Sequence, residues 1–469
     1  MVLLAIVLLA LAAGFAAWQA ARSAPPSSPS PSAAGSAGGS LIATVDGFGS
    51  LSTVDVTGRS TPLAVVPDSA FGFPAWSPDG TRVAVTRVGA TDTAIEIYRV
   101  RRDGAARSAA PAEGPIVVYR SADVPPFYLY WAPDGQRVSF LATEADGISL
   151  RIAPADGSAP LDGSGPGAVI RRGAPLYFDW IASDRLLLHV GAGADAFLGE
   201  VGVDGSAAAP GLAGAGDFRS AVVGSDGRFM AFVRGQAPSA DLVVAARDGT
   251  SEHLLPVFGP TAAVFDPAGS TLASIAADEP TAAPFAFPAG PLRLMDAGSG
   301  VVRTLLDGSV VGFFWSPDGR TIAVLRLQAG SGTPVAAGPI VAAAAFTAAG
   351  SPSAVASSGP GSSAPVSPAP VSSASPTPEP GPELHLLFVN VADGAVRSDR
   401  VVRPTRHFVN QFLPYFDQYA LSHRVWAPDS SALLLPLVDV TGRDQLFILP
   451  ADGSDGPPTL DGKSGFWSP

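Results

Sequence analysis

Five side chains stand out for the chemistry they could do together. Tyr415, Asp417, Tyr419 and His423 lie in one stretch, Phe408-Val-Asn-Gln-Phe-Leu-Pro-Tyr-Phe-Asp-Gln-Tyr-Ala-Leu-Ser-His423, and Asp179 stands directly before Trp180. Phenols, a carboxylate and an imidazole among apolar rings suit a recognition surface, where aromatic anchors supply area and a few polar groups fix orientation. The same composition also suits a plug that packs its rings over a core. For Asp179 the two readings are a channel-lining acid and a carboxylate bonded to nearby backbone amides.

Motifs of established catalytic machinery are missing. There is no Gly-x-Ser-x-Gly elbow and no His-Glu-x-x-His. The histidines at 189, 253, 385, 407 and 423 have no metal-ligand spacing, so neither a metal nor another cofactor is expected. Gly462-Lys463-Ser464 resembles the end of a phosphate loop, but it precedes a strand where a helix is required. Gly191-x-Gly193-x-x-Ala196 lies between strands and fails the dinucleotide reading for the same reason. Lys463 is the sole lysine and reads as codon usage. With no cysteine, disulfides and thiolate chemistry are excluded. A net charge of −12 argues against nucleic acid as a partner.

A repeat positions the candidate residues. Trp-Ser-Pro-Asp-Gly occurs at Trp76–Gly80 and Trp315–Gly319, and Trp-Ala-Pro-Asp at Trp131–Asp134 and Trp426–Asp429. Worn copies stand at Trp180, Val223 and Phe265, and a last one at Phe466-Trp-Ser-Pro469. Most intervals are 41 to 55 residues, the period of four-stranded propeller blades. Apolar residues lead into each Trp as a buried strand, Ser-Pro-Asp-Gly makes a tight turn, and an alternating run such as Arg320-Thr-Ile-Ala-Val-Leu325 follows. A second turn, Asp-Gly at 103, 156, 204, 248 and 452, comes about 25 residues after each copy. The Asp-Gly pairs therefore read as hairpin turns and not as calcium loops.

The pattern Trp-Ser-Pro-Asp-Gly-x-x-(Ile/Val)-Ala resembles the repeat of TolB-type propellers, which are related to WD-repeat domains. The resemblance covers residues 41–469 apart from one insertion. It implies an all-β fold, a single β-propeller of four-stranded blades. Eight copies give eight blades, with seven as the alternative if the Val223 or Phe265 copy merges with a neighbour. Propellers with this repeat serve both as translocation-complex scaffolds and as non-catalytic domains of prolyl-oligopeptidase-like enzymes, so the resemblance leaves function open.

The remaining segments complete the expectation. Residues 1–22 read as a signal peptide or an N-terminal membrane anchor, and the Pro/Ser-rich residues 23–40 as a disordered tether. Residues 329–382, almost entirely Ala, Ser, Pro, Gly, Val and Thr, read as a disordered insertion within one blade. Removing them restores the usual spacing from Trp315 to Asp393-Gly394. The C-terminal strand is expected to join the N-terminal strands in one blade and close the ring. The function expected is a monomeric, non-enzymatic scaffold outside the cytoplasm, periplasmic or at the cell surface, that binds a protein or another envelope component. The alternative is a propeller hydrolase or lyase acting on sugars or peptides at the channel mouth.

Overall fold

A computed structural model describes residues 39–65, 67–100, 114–161, 169–191, 196–206, 221–236, 240–280, 287–327 and 383–469. The expected membrane segment 1–22, nearly all of the tether, the 329–382 insertion and the Asp103-Gly104 turn lie outside these residues.

The described chain is all-β apart from one helical segment, and its strands pair antiparallel in sequence order. Two sheets have four consecutive strands each: Ala70–Trp76 to Ile116–Ser121, and Pro126–Trp131 to Val169–Gly173. Leu176–Ala182 begins a sheet with three described strands. The Val223, Phe265 and Trp315 copies share one ten-stranded sheet. This differs from the separate blades the repeat predicts, and the cause is two strands of 14 residues, Glu252–Phe265 and Val302–Trp315. Each pairs with the preceding group through its first half and with the following group through its second half. In the Trp426 copy, Ala432–Val438 pairs with Asp444–Pro450, and single bridges add Trp426 to Leu433 and Leu460 to Leu446.

The C-terminal strand Ser464–Trp467 pairs with Leu41–Val45, which continues through Leu51–Asp55 to Ser60–Ala64. Four strands from opposite ends of the chain thus make one sheet, as the repeat predicts.

The repeat residues act as expected. In the Ser77–Gly80 turn the Gly80 amide donates to the Ser77 carbonyl at 2.8 Å, with Gly80 at φ 65°. The Ser77 hydroxyl accepts from the Arg82 amide and donates to Asp79. Ser316 repeats both contacts with Thr321 and Asp318. In the second turns, Asp156, Asp204, Asp248 and Asp452 each accept from the amide two residues on, so their carboxylates are spent locally.

The tryptophans stitch neighbouring sheets together. Trp131 Nε1 donates to the carbonyl of Ala75, Trp315 to Val264, Trp426 to Phe314 and Trp76 to Phe466. Each acceptor directly precedes the motif residue of another copy, so one contact recurs at 2.9 to 3.2 Å. Trp180 departs from the rule and donates to the Ser139 hydroxyl. Sheet faces are apolar on both sides, as in Ala75, Ile95 and Ile97 packed against Leu129, Trp131 and Phe140. Full burial of a side chain of this size contributes about 1.5–3 kcal/mol.

Candidate functional site

The first strand of each sheet carries a recurring irregularity. In the Trp76 sheet the register shifts between Gly72 and Ala75, and in the Trp131 sheet between Phe127 and Leu129. The residues inside the shifts, Phe73 and Tyr128, each stand three before the Trp and have φ of 46° and 49°. Aromatic residues rarely adopt positive φ, and holding one there costs about 1–3 kcal/mol. The bulge re-aims the side chain out of its sheet.

Both rings meet the segment from Phe408 to Ser422. This is a π-helical turn Phe408–Phe412, a 3₁₀ turn Leu413–Tyr415 and α1, Phe416–Ser422. Pro414 stands within the 3₁₀ turn, where its missing N–H is no loss. The segment is anchored at its start on the Trp426 sheet, where Pro404 bridges Leu437 and the Thr405 amide donates to Pro436.

Its aromatic residues then pack on one sheet after another. Tyr419 stacks on Phe73 at 5.2 Å and on Phe412 at 4.9 Å, and meets Tyr128 edge-on at 5.4 Å. Phe416 meets Phe313 at 5.1 Å, and Phe412 lies parallel to Phe466 at 5.9 Å. Gly312 permits this approach, because a Cβ there would stand 2.9 Å from Leu413 Cδ1. The Tyr128 hydroxyl donates to the Gln418 carbonyl at 2.9 Å. The aromatic residues of the segment therefore sit where strands of four sheets converge.

This placement decides what the five candidates can do. Asp417, Tyr419 and His423 are buried, and Tyr415 is half-buried and packed against the same core. His423 Nδ1 accepts from the Ser422 hydroxyl at 2.7 Å, Nε2 faces the Phe73 carbonyl at 3.4 Å, and its ring meets Phe466 at 4.6 Å. Burial pushes its pKa down to about 4, so it is a neutral imidazole at physiological pH. Burial likewise raises the phenols of Tyr419 and Tyr415.

Asp179 stands apart from α1 in sequence but faces the same interior. It is 3% exposed, and Oδ2 accepts the amide of Val223 on the next sheet at 3.0 Å. Oδ1 accepts the Tyr130 hydroxyl at 3.3 Å. Burial raises its pKa to about 7, against the lowering effect of those hydrogen bonds. Tyr128, Tyr130 and Tyr177 surround this region; burial raises all three phenols, followed by Asp179 at Tyr128 and Tyr130 and by Tyr128 and then Asp179 at Tyr177. The Tyr177 hydroxyl is buried with no hydrogen-bond partner.

Sequence reasoning missed Phe73, Tyr128 and Tyr177, although a signal existed. All three stand three residues before a Trp, and all are aromatic. It also missed His407, whose ring stacks on Phe73 at 5.3 Å. Among the described residues no group of three or more His, Cys, Asp or Glu side chains could hold a metal ion, and no helix is long and apolar enough to cross a membrane.

No protein-family model and no curated protein matches the chain. Several solved structures are similar. The dihydro-heme d1 dehydrogenase NirN matches over 94% of this chain and 77% of its own, at 13% identity and a TM-score of 0.50. A putative TolB from Agrobacterium tumefaciens matches over 61% of this chain and 96% of its own, at 19% identity and a TM-score of 0.35. The periplasmic gluconolactonase of Pseudomonas aeruginosa matches over 92% and 99%, at 14% identity and a TM-score of 0.42. At these identities the likeness concerns fold alone. The all-β architecture of antiparallel sheets is that of a propeller, and TolB structures are among those it is similar to.

Proposed function

We propose that the chain is a non-enzymatic eight-bladed propeller that binds a protein or another component of the cell envelope through the surface around the helical segment. The eight-blade reading rests on eight groups of paired strands, one per repeat copy. Closure is supported by the Trp76–Phe466 hydrogen bond. It repeats the Trp131–Ala75 contact, so the C-terminal strand occupies the place of a preceding blade's first strand. A location outside the cytoplasm follows from the apolar character of residues 2–18 and the Pro/Ser-rich tether after them.

One observation carries the binding reading. The segment packs on strands of several sheets, buries Asp417, Tyr419 and His423, and leaves Tyr415 half-buried, the most exposed of the four. An enzyme would need those polar groups open to substrate. The competing reading rests on Asp179, whose raised pKa suits an acid–base group. Its two oxygens are occupied by Tyr130 and Val223, and the residue is 3% exposed.

The test is Tyr415→Ala in the full chain, with Tyr419→Ala as the packing control. Tyr415→Ala is expected to shift the melting temperature by a few degrees at most and to abolish capture of the partner that wild type retains from envelope extract. An unchanged set of captured proteins ends the assignment of recognition to this segment.

A further inference from the structure

Two imidazoles bracket the helical segment. His407 stands directly before its π-helical turn and His423 directly after α1. Both rings meet the same partner. His407 stacks on Phe73 at 5.3 Å, and His423 meets Phe73 edge-on at 6.3 Å. The segment is thus held at its two ends on one residue of positive φ. His423 is 1% exposed and also packs on Tyr419 at 5.3 Å and on Phe466 at 4.6 Å. His407 is half-buried among apolar neighbours that include Phe408, Phe412 and Phe466.

Neither site is built for an imidazolium. A proton added at Nδ1 of His423 displaces the hydrogen that the Ser422 hydroxyl donates there. Among the described residues the histidine ion-paired with a carboxylate is His385, beside Asp399 and away from this segment. The charges around the two rings are cations. Arg406 and Arg424 adjoin them in sequence and are exposed, and the Lys463 ammonium acts on His407. The Tyr419 phenol against His423 is kept neutral by burial. Asp417, the one carboxylate of α1, acts on the phenols of Tyr128 and Tyr177, and Asp46 acts on Lys463. Burial therefore holds both imidazoles neutral, down to a pKa of about 4.

We propose that residues 405–423 form an acid-released latch, which protonation of His407 and His423 frees from the sheets it packs on. Once released, both rings enter water, where an imidazole takes up its proton near pH 6.5. The packed segment resists the proton until about pH 4, so acid favours the released state between those values. Above pH 6.5 neither imidazole distinguishes the two states. At pH 5 each one raises the released population about thirtyfold over its value at pH 8, and the two together about 900-fold. The release is a property of the segment itself and does not rest on its binding a partner.

Amide exchange of the full-length protein in detergent, followed by mass spectrometry at pH 5 and pH 8 and corrected for intrinsic rates, reads the release. Protection of residues 405–423 is expected to fall by up to about 900-fold at pH 5, while that of the Trp131 sheet changes far less. His407→Gln and His423→Gln are each expected to leave a fall of about thirtyfold, and the double variant none. Equal protection of the segment at both pH values overturns the proposal, as does a fall shared by the Trp131 sheet or one that the double variant retains. The wild-type comparison stands if a variant fails to fold. As a second measurement, the imidazole Cε1–H resonances of His407 and His423 are expected to titrate well below pH 6.5 in the wild-type protein. Titration of either at its ordinary value overturns the proposal as well.

Discussion

Asp179→Asn isolates the energetic consequence of a carboxyl group enclosed between two sheets. In the folded protein burial lifts its pKa from the usual 3.8 to about 7, whereas in the unfolded chain it titrates near 3.8. Between those values the folded state holds a proton that the unfolded state has lost, so the contribution of Asp179 to stability falls as pH rises. The fall starts near pH 4 and ends near pH 7. At 1.36 kcal/mol per pH unit over about three units it amounts to roughly 4 kcal/mol. His423 acts with the opposite sign. Its pKa is lowered to about 4, so the unfolded state takes up the proton first as pH drops below 6.5, and stability is lost toward acid pH. The two effects overlap and obscure each other in the wild-type profile. The difference between wild type and the Asn variant removes His423 and leaves Asp179. Asn keeps an oxygen for the Val223 amide and offers an N–H to the Tyr130 hydroxyl, so both existing contacts retain partners. Denaturant unfolding of the two proteins at pH 4, 5, 6, 7 and 8 is the assay. The variant is expected to gain about 4 kcal/mol on wild type between pH 4 and pH 7, with no further change above pH 7. A flat difference profile would mean that Asp179 is ionised in the folded state, and the burial argument would be wrong.

Removing residues 465–469 is expected to cost more than about 5 kcal/mol, because Phe466 and Trp467 are 4% and 2% exposed and the Trp76 indole loses its acceptor; chemical denaturation measures it. Trp131→Phe, which deletes the donor to the Ala75 carbonyl together with part of a buried ring that Arg82 covers at 4.8 Å, is expected to cost more than about 1 kcal/mol in the same assay. Tyr419→Ala, emptying the space between Phe73, Phe412 and Tyr128, is expected to cost about 3–5 kcal/mol and to lower the melting temperature by several degrees. Replacing 329–382 by a short Gly/Ser turn is expected to leave a single cooperative melt, since Leu327 and Leu384 are direct partners across the flanking strands.

The sheets were legible because each copy carries its turn chemistry in fixed residues. Ser-Pro-Asp-Gly and Asp-Gly specify backbone shape locally, and the apolar runs between them can only pair with one another. The two 14-residue strands are not marked by the repeat: Glu252–Phe265 runs through Pro256 and Gly259, and Val302–Trp315 through Gly308, each passing from one group of strands to the next. The aromatic segment at 408–423 was recognised as unlike the blades, but its companions were not. Phe73, Tyr128 and Tyr177 look like ordinary apolar residues of a strand until the bulges turn Phe73 and Tyr128 out of register. Lys463 was dismissed on composition. In the structure it is half-buried, next to the strand that carries Phe466 and Trp467.

The two kinds of contact in this fold differ in how they tolerate change. The tryptophan stitches are pairwise, each joining one sheet to another through a hydrogen bond to backbone, so losing one weakens a single seam. The helical segment is a shared partner. Tyr419 touches Phe73 and Tyr128 from two sheets, and Phe412 and Phe416 reach Phe466, Phe313 and Phe314 from two more. The positive φ at Phe73 and Tyr128 is tolerable only while those rings have something to pack against, so the strain and the segment depend on each other. Displacing α1 would take away the packing partner of Phe73 and Tyr128 and the acceptor of the Tyr128 hydroxyl together. A ligand that acts on this protein is therefore expected to act through this segment, because among the described residues its aromatic rings meet four sheets at once.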